Sequence, residues 1–277
     1  MAKPILDDEL WSLIQPLLTP PKPRRTRYPE RKPLDDRTVL TGILFVLQSD
    51  TPKEILPRNM GCGSGTSCLR RLRDWQQAGA WDRLHEVLLA KWRAADRIDW
   101  SHVVIDPPPI CAVGSGPKTG PSPTDRTRPG SKHHLTTETL AIPFAMIVTG
   151  ANCKDVTQLW PLIEVTPPIR RKRRRPQSKL VIVQADRGND HDKYRKPLRA
   201  LGIATQIARR GEPHGGGLGK TRWIVERTCA SLHHFRRLRI RFGHLTSIYK
   251  TFMKIVACII CWRQLQNLLC SGFLGGG

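Results

Sequence analysis

Apolar residues keep a helical period over the first third of the chain and a strand-like pattern after it. Leu10, Trp11, Ile14, Leu17 and Leu18 recur at spacings of three and four, as do Val39, Leu40, Ile43, Leu44 and Leu47. Each set makes one apolar face of a helix. Asp7 and Asp8 are placed to cap the first helix, and Asp35 or Asp36 the second. A third helix is expected from Thr66 or Ser67, after the turn Gly61-Cys-Gly-Ser-Gly65. It turns Cys68, Leu69, Leu72 and Trp75 inward and Arg70, Arg71 and Arg73 outward, and Gly79 stops it. Trp81, Leu84, Leu88 and Trp92 mark a fourth. A helix, a short helical segment near residues 51–57, a glycine turn and an arginine-studded helix match a helix-turn-helix unit. Three packed helices with a solvated charged face would give the same pattern.

From Trp100 onward the chain changes character. Strands are predicted at residues 102–106, 132–138, 141–149, 180–183 and 203–207. Helices are predicted at 155–162, 190–200, 221–238 and 247–269. Asp155 is expected to cap the first of these helices, and Asp190 and Asp192 the start of the second. The glycine- and proline-rich stretch 113–130 reads as a loop, and Arg170-Arg-Lys-Arg-Arg-Arg175 as a surface loop. Strands first, then helices alternating with strands, give a mixed α/β layer fold. The expected division is an all-α domain over residues 1–97 and an α/β domain over 98–277.

Charge narrows the partner. The formal net charge is +23 and the sequence pI is near 10.5. The cations recur in separate clusters (22–32, 70–73, 170–175, 236–241) rather than in one tail. Such a surface suits a polyanion, nucleic acid first. The N-terminus lacks an apolar core of signal-peptide length, and the apolar run 255–262 is far short of the roughly 20 residues that span a bilayer. A cytoplasmic protein is expected. The 8 cysteines then read as reduced thiols. Cys258 and Cys261 have the spacing of one half of a zinc site, but without a second such pair they read as core residues, as do Cys62 and Cys68.

Three carboxylates carry the candidate chemistry. In Lys179-Leu-Val-Ile-Val-Gln-Ala-Asp186-Arg-Gly188 a buried strand ends on Asp186, at the edge where open α/β sheets place their sites. Val103-Val-Ile-Asp106 ends the same way, and Glu226 lies in a helical pattern. Two aspartates from strand ends and a helical glutamate suit a pair of divalent ions in phosphodiester chemistry. Arg222, Glu226, His233 and Arg237 fall close to one face of a single predicted helix, which sets basic groups beside the glutamate. Taken alone, Glu226 in a basic helix would be read as a surface ion pair with Arg222. Lys132 and its neighbours His133 and His134 are candidate DNA contacts from a strand, with the two histidines on opposite faces.

The segments Gly61-Cys-Gly-Ser-Gly-Thr, Gly114-Ser-Gly-Pro-Lys-Thr-Gly-Pro-Ser-Pro, Arg128-Pro-Gly-Ser-Lys-His-His-Leu, Ala185-Asp-Arg-Gly188 and Arg222-Trp-Ile-Val-Glu-Arg-Thr follow one another in order. Together they resemble the insertion-sequence-five type of bacterial DDE transposases over nearly the whole chain. The resemblance implies a ribonuclease-H-like mixed sheet with flanking helices, preceded by a helix-turn-helix-like domain. It implies Asp106, Asp186 and Glu226 as catalytic metal ligands for two Mg²⁺ ions, with Mn²⁺ as a substitute. Arg222, His233, Arg237, Lys132, Arg70, Arg71 and Arg73 are the expected DNA contacts. The implied partners are double-stranded DNA, as terminal inverted repeats and target, and a second copy of the chain when two ends are synapsed. The setting would be the bacterial nucleoid.

The sequence departs from the family beside the site. Pro107-Pro-Pro109 follow Asp106, Cys111 stands where arginine is usual, Asn189 replaces an aromatic, and Gly219 and His233 replace the tyrosine and lysine of the Tyr-Arg-Glu-Lys signature. Two other readings therefore accompany the transposase: a catalytically decayed copy that only binds DNA, and a plain metal-dependent nuclease on the same fold.

Overall fold

The computed structural model describes residues 4–20, 32–95, 102–106, 108–166, 181–209, 211 and 219–273. At residues 102, 106, 219–222 and 269–273 only the backbone is described. The predicted loop at 170–175 lies outside the described residues.

Helices open the chain. α1 (Asp8–Ile14) is capped by the Asp7 carboxylate, which accepts from Leu10 N at 2.6 Å. α2 (Asp36–Ser49) is capped by Asp35. The expected short helix is two separate 3-10 turns, Lys53–Ile55 and Arg58–Met60. α3 (Gly65–Gln77) begins slightly earlier than predicted, because Ser64 caps it by accepting from Ser67 N. Gly65 is needed there: a Cβ would come within 2.0 Å of the Lys53 carbonyl oxygen. Gly79, at φ +70, ends the turn after α3 and starts α4 (Ala80–Ala94). Trp75, Trp81 and Trp92 are fully buried, as their period required.

The second part is a seven-stranded mixed sheet. Its strands are β1 (His102–Asp106), β2 (Pro109–Cys111), β3 (Gly120–Pro121), β4 (Pro129–Thr137), β5 (Pro143–Gly150), β6 (Ile182–Ala185) and β7 (Ala204–Ile207). β4 lies antiparallel to β1, β2, β3 and β5, while β6 and β7 continue from β1 in parallel. Three antiparallel strands (β5, β4, β1) followed by two parallel ones are the ribonuclease-H-like arrangement. β1 and β2 lie end to end along β4 in one unbroken register: Asp106 pairs with Leu135 and Pro109 with Lys132. The proline segment that departs from the family therefore leaves the strand's alignment intact.

α5 (Leu159–Val165) and α6 (Asp192–Ala200) flank the sheet, and α7 (Gly219–His234) packs on β1 and β4. α8 (Thr246–Phe273) packs against α4 and β5. Trp92 Nε1 donates to Cys261 O at 3.0 Å and Trp262 Nε1 to Asp7 Oδ2 at 3.1 Å, so the helices at both ends of the described chain share one core. Cys62, Cys68, Cys258 and Cys261 are buried free thiols within it. Among the described residues, no helix is long and apolar enough to cross a membrane.

Candidate active site

The parallel register of β1 and β6 fixes two of the three carboxylates. Ile105 pairs with Ala185, and the next residues are Asp106 and Asp186. Their backbones follow the last paired residues of two adjacent parallel strands. Asp186 is exposed and opens a 3-10 turn, Arg187–Asn189, by accepting from Arg187 N at 2.7 Å through Oδ1. The turn is held from below. Asn189, buried, has its backbone N 2.9 Å from Asp186 O, with its side-chain amide donating to the same oxygen at 3.3 Å.

Glu226 is exposed on α7, the helix laid across β1 and β4. Ile224, Val225, Thr228, Cys229 and Leu232 bury the opposite side of that helix. Thr228 Oγ1 reaches the carbonyl of Ala141 at 3.1 Å, which fixes the rotation of α7 about its axis. The trio expected from the sequence would offer carboxylate oxygen only, a donor type that suits hard divalent cations. Among the residues with described side chains, no group of three His, Cys, Asp or Glu gathers; Asp106 is outside that group.

The expected basic contacts divide into exposed and engaged. Arg70 and Arg73 are exposed on α3. Arg71, expected to face outward, folds back: Nη2 lies 2.6 Å from Asp36 Oδ1 and 3.1 Å from Thr19 O, and the guanidinium lies over Trp75. Lys132 donates to Asp155 Oδ1 at 2.8 Å and Cys153 O at 3.0 Å. Asp155 is thus an ion-pair partner and not a helix cap; the α-helix starts only at Leu159, after a 3-10 turn. Arg237 lies beyond the end of α7, in a 3-10 turn, so it does not share the helical face with Glu226. Its Nη1 binds Asp50 Oδ1 at 2.8 Å, at the left-handed end of α2. The Arg222 side chain is outside the described set.

The histidines are interior groups. His133 and His134 are buried on β4; His133 Nε2 lies 2.7 Å from the Tyr249 hydroxyl and His134 Nε2 2.7 Å from Thr149 Oγ1. Burial is the main cause that pushes His133 down to about 3 and His134 to about 4. His233 is half-buried with its ring centroid 6.0 Å from that of His133, and burial and then Arg239 lower its pKa. Both causes disfavour the protonated ring, which packs beside His133.

One positioning contact escaped the sequence reading. Asp190 does not cap α6, whose N-cap is His191. Its Oδ1 accepts from Arg195 Nη2 at 2.6 Å, and the same nitrogen donates to Ile207 O at 2.8 Å. The buried Arg195 so ties the turn after Asp186 to the end of β7. Five residues separate the pair, a spacing with no helical or strand signature to reveal it.

Two family models cover most of the chain. One described as "Putative transposase of IS4/5 family" matches residues 6–85, and one described as "Transposase DDE domain" matches residues 98–261. The chain belongs to the DDE transposases. Among curated relatives, the "Putative transposase for insertion sequence element IS402" of Burkholderia cepacia is 56% identical over 151 residues, 54% of this chain and 72% of that protein. The "Insertion element IS402 uncharacterized 16.2 kDa protein" of the same organism is 63% identical over 123 residues, 44% of this chain and 84% of that protein. Solved structures align more distantly. The Mos1 strand transfer complex gives a TM-score of 0.37 at 16% identity, covering 90% of this transposase and 78% of that chain. A pre-cleavage Mos1 transpososome gives 0.32 at 14%, covering 91% and 82%.

Proposed function

We propose that this transposase cuts DNA at the ends of its own insertion sequence and joins the freed ends to a target, with Asp106, Asp186 and Glu226 as the catalytic carboxylates. The observation that carries the reading is the shared edge of β1 and β6, one residue beyond which the two aspartates follow, with the helix of Glu226 packed on β1. The domain division at residues 97 and 98 belongs to the same reading, as does assembly of a dimer on two DNA ends.

In the first step a water oxygen bonds to the phosphorus at the element boundary, and the bond to the 3′-oxygen breaks. A 3′-hydroxyl and a 5′-phosphate result. In the second step that 3′-hydroxyl attacks a target phosphodiester in line and displaces the target's own 3′-oxygen. The three carboxylates would hold two Mg²⁺ ions, or Mn²⁺ in their place, which would supply activation of the attacking oxygen and charge stabilisation of the leaving one. The chain supplies position. Asp186 keeps Oδ1 on its own turn and leaves Oδ2 for a ligand, while Arg195 and Asn189 stop that turn from drifting. Arg70 and Arg73 on α3 offer sequence-independent phosphate contacts.

Labelled duplex carrying the element's end is the substrate that tests this, with Mg²⁺, Mn²⁺ or EDTA. Metal-dependent nicking at the boundary is expected. Asp186→Asn and Glu226→Gln should each lower it by more than the roughly 10–100-fold that loss of an outer-shell partner costs. Binding of the duplex should be retained. Nicking that survives both substitutions would remove the three carboxylates from the mechanism.

A further inference from the structure

Several basic side chains are engaged by carboxylates within the fold: Arg71 by Asp36, Lys132 by Asp155, Arg195 by Asp190, Arg237 by Asp50 and Lys254 by Asp82. Two exposed lysines from distant segments are brought together without such a partner among the described residues. Lys118 lies in the loop after β2, and Lys250 in the second turn of α8.

Hydrogen bonds of other residues set their approach. Thr246 Oγ1, in the first turn of α8, donates to Pro117 O at 2.7 Å, and Lys250 follows one helical turn later on the same face. Arg241 is fully buried. Its guanidinium donates to Pro117 O at 2.8 Å, Lys118 O at 3.0 Å, Ser131 Oγ at 3.0 Å and Thr246 Oγ1 at 2.9 Å, with longer bonds to Gly243 O and His244 O. Those acceptors are all neutral. Gly114 and Gly116 press the loop so close that a Cβ would meet Phe242 O at 2.2 Å and His244 O at 2.6 Å. Lys118 itself is held at φ +64, a left-handed conformation that costs an L residue energy.

A left-handed lysine held by a buried arginine, next to a second lysine, sets strain and like charge side by side at a cost to the isolated protein. Burial, then Lys118, then Lys254, lower the pKa of Lys250, so the ammonium groups feel one another. A polyanion reverses that balance. We infer that Lys118 and Lys250 form a phosphate contact for the backbone of duplex DNA, with Arg241 and Thr246 as the residues that position it. This rests on the reading of the chain as a DNA-acting enzyme. Ser131, which donates to Lys118 O at 2.8 Å, is four residues along β4 from Leu135, the partner of Asp106. That is roughly 13 Å, or about four nucleotide steps from the catalytic edge.

The test is equilibrium binding of the full chain to a duplex in EDTA over a salt series. Each lost phosphate contact lowers the slope of log K against log salt by about 0.9. Lys118→Gln and Lys250→Gln should each remove about 0.9, and the double variant about 1.8. Lys91→Gln, an exposed lysine on α4, should leave the slope unchanged. Arg241→Met should cost the Lys118 share although Arg241 is buried; if it does not fold, Thr246→Val, which also frees Pro117 O, takes its place. A double lysine variant with the wild-type slope, or one no different from Lys91→Gln, overturns the contact. A wild-type chain without salt-dependent duplex binding overturns both this contact and the reading beneath it, whereas a wild-type chain that binds duplex, loses the expected slope in the lysine variants and never nicks DNA supports the contact and overturns only that reading.

Discussion

Acid should unfold this protein through its buried imidazoles. His133 and His134 are adjacent on β4, with exposures of 0% and 1%. Burial first, then the neighbouring His233, His134 and Arg241, hold His133 at about 3; burial, then Lys132, hold His134 at about 4. In the unfolded chain both return to about 6.5. Below that value the unfolded chain binds protons that the folded chain refuses, so this stability is complete above about pH 6.5 and is lost as pH falls toward the folded values. Between about pH 7.5 and 5 each histidine accounts for roughly 2 kcal/mol, and the pair for roughly 4 kcal/mol. A domain has only about 5–15 kcal/mol to lose. Urea unfolding across this window should show the loss, and imidazole nitrogen shifts should report both rings neutral at pH 5. His133→Gln keeps a donor for Tyr249 and should halve the pH dependence. A wild-type stability that is flat over the window, or a variant with undiminished dependence, would refute the assignment.

Four further outcomes separate packing from binding. Arg71→Ala should cost about 1–3 kcal/mol in urea unfolding, because it strands Asp36 and Thr19 O, and should barely change the salt slope of DNA binding. Arg73→Ala, at an exposed position on the same helix, should do the reverse: stability within about 0.5 kcal/mol and a slope lower by about 0.9. Tyr249→Phe removes a hydroxyl that donates to Leu238 O at 3.0 Å and pairs with His133 Nε2; the two groups left behind should cost roughly 2–4 kcal/mol, read by urea unfolding. Gly114→Ala drives a Cβ into the Phe242 carbonyl, backbone against backbone, and should lower thermal stability by at least about 1–3 kcal/mol.

What could be read from the sequence was what repeats or terminates locally. The apolar period of α2, the cap at Asp35 and the strand ending on Asp186 are all written within a few residues of themselves. What could not be read was the long-range partner. Arg71 finds Asp36 35 positions away, and Arg237 finds Asp50 187 positions away, and no spacing rule encodes either. The helical count that set Arg237 beside Glu226 failed for a local reason: the backbone turns extended at Phe235, just after the end of α7 at His234. The histidines misled for a physical one. A basic residue in a basic chain reads as surface, yet alternation along β4 buries His133 under α8 and His134 against β5.

The shared core of α4 and α8 also sets the order in which this protein can be made. Some 150 residues separate the end of α4 from the start of α8. At about 5–20 residues per second, the ribosome needs roughly 8–30 s to supply them. During that interval Trp81 and Trp92 lack their carbonyl and thiol neighbours on α8, which are not yet synthesised. A chain that stops short of Thr246 therefore leaves the apolar face of α4 bare, and that helix gains its covering only once α8 has been added.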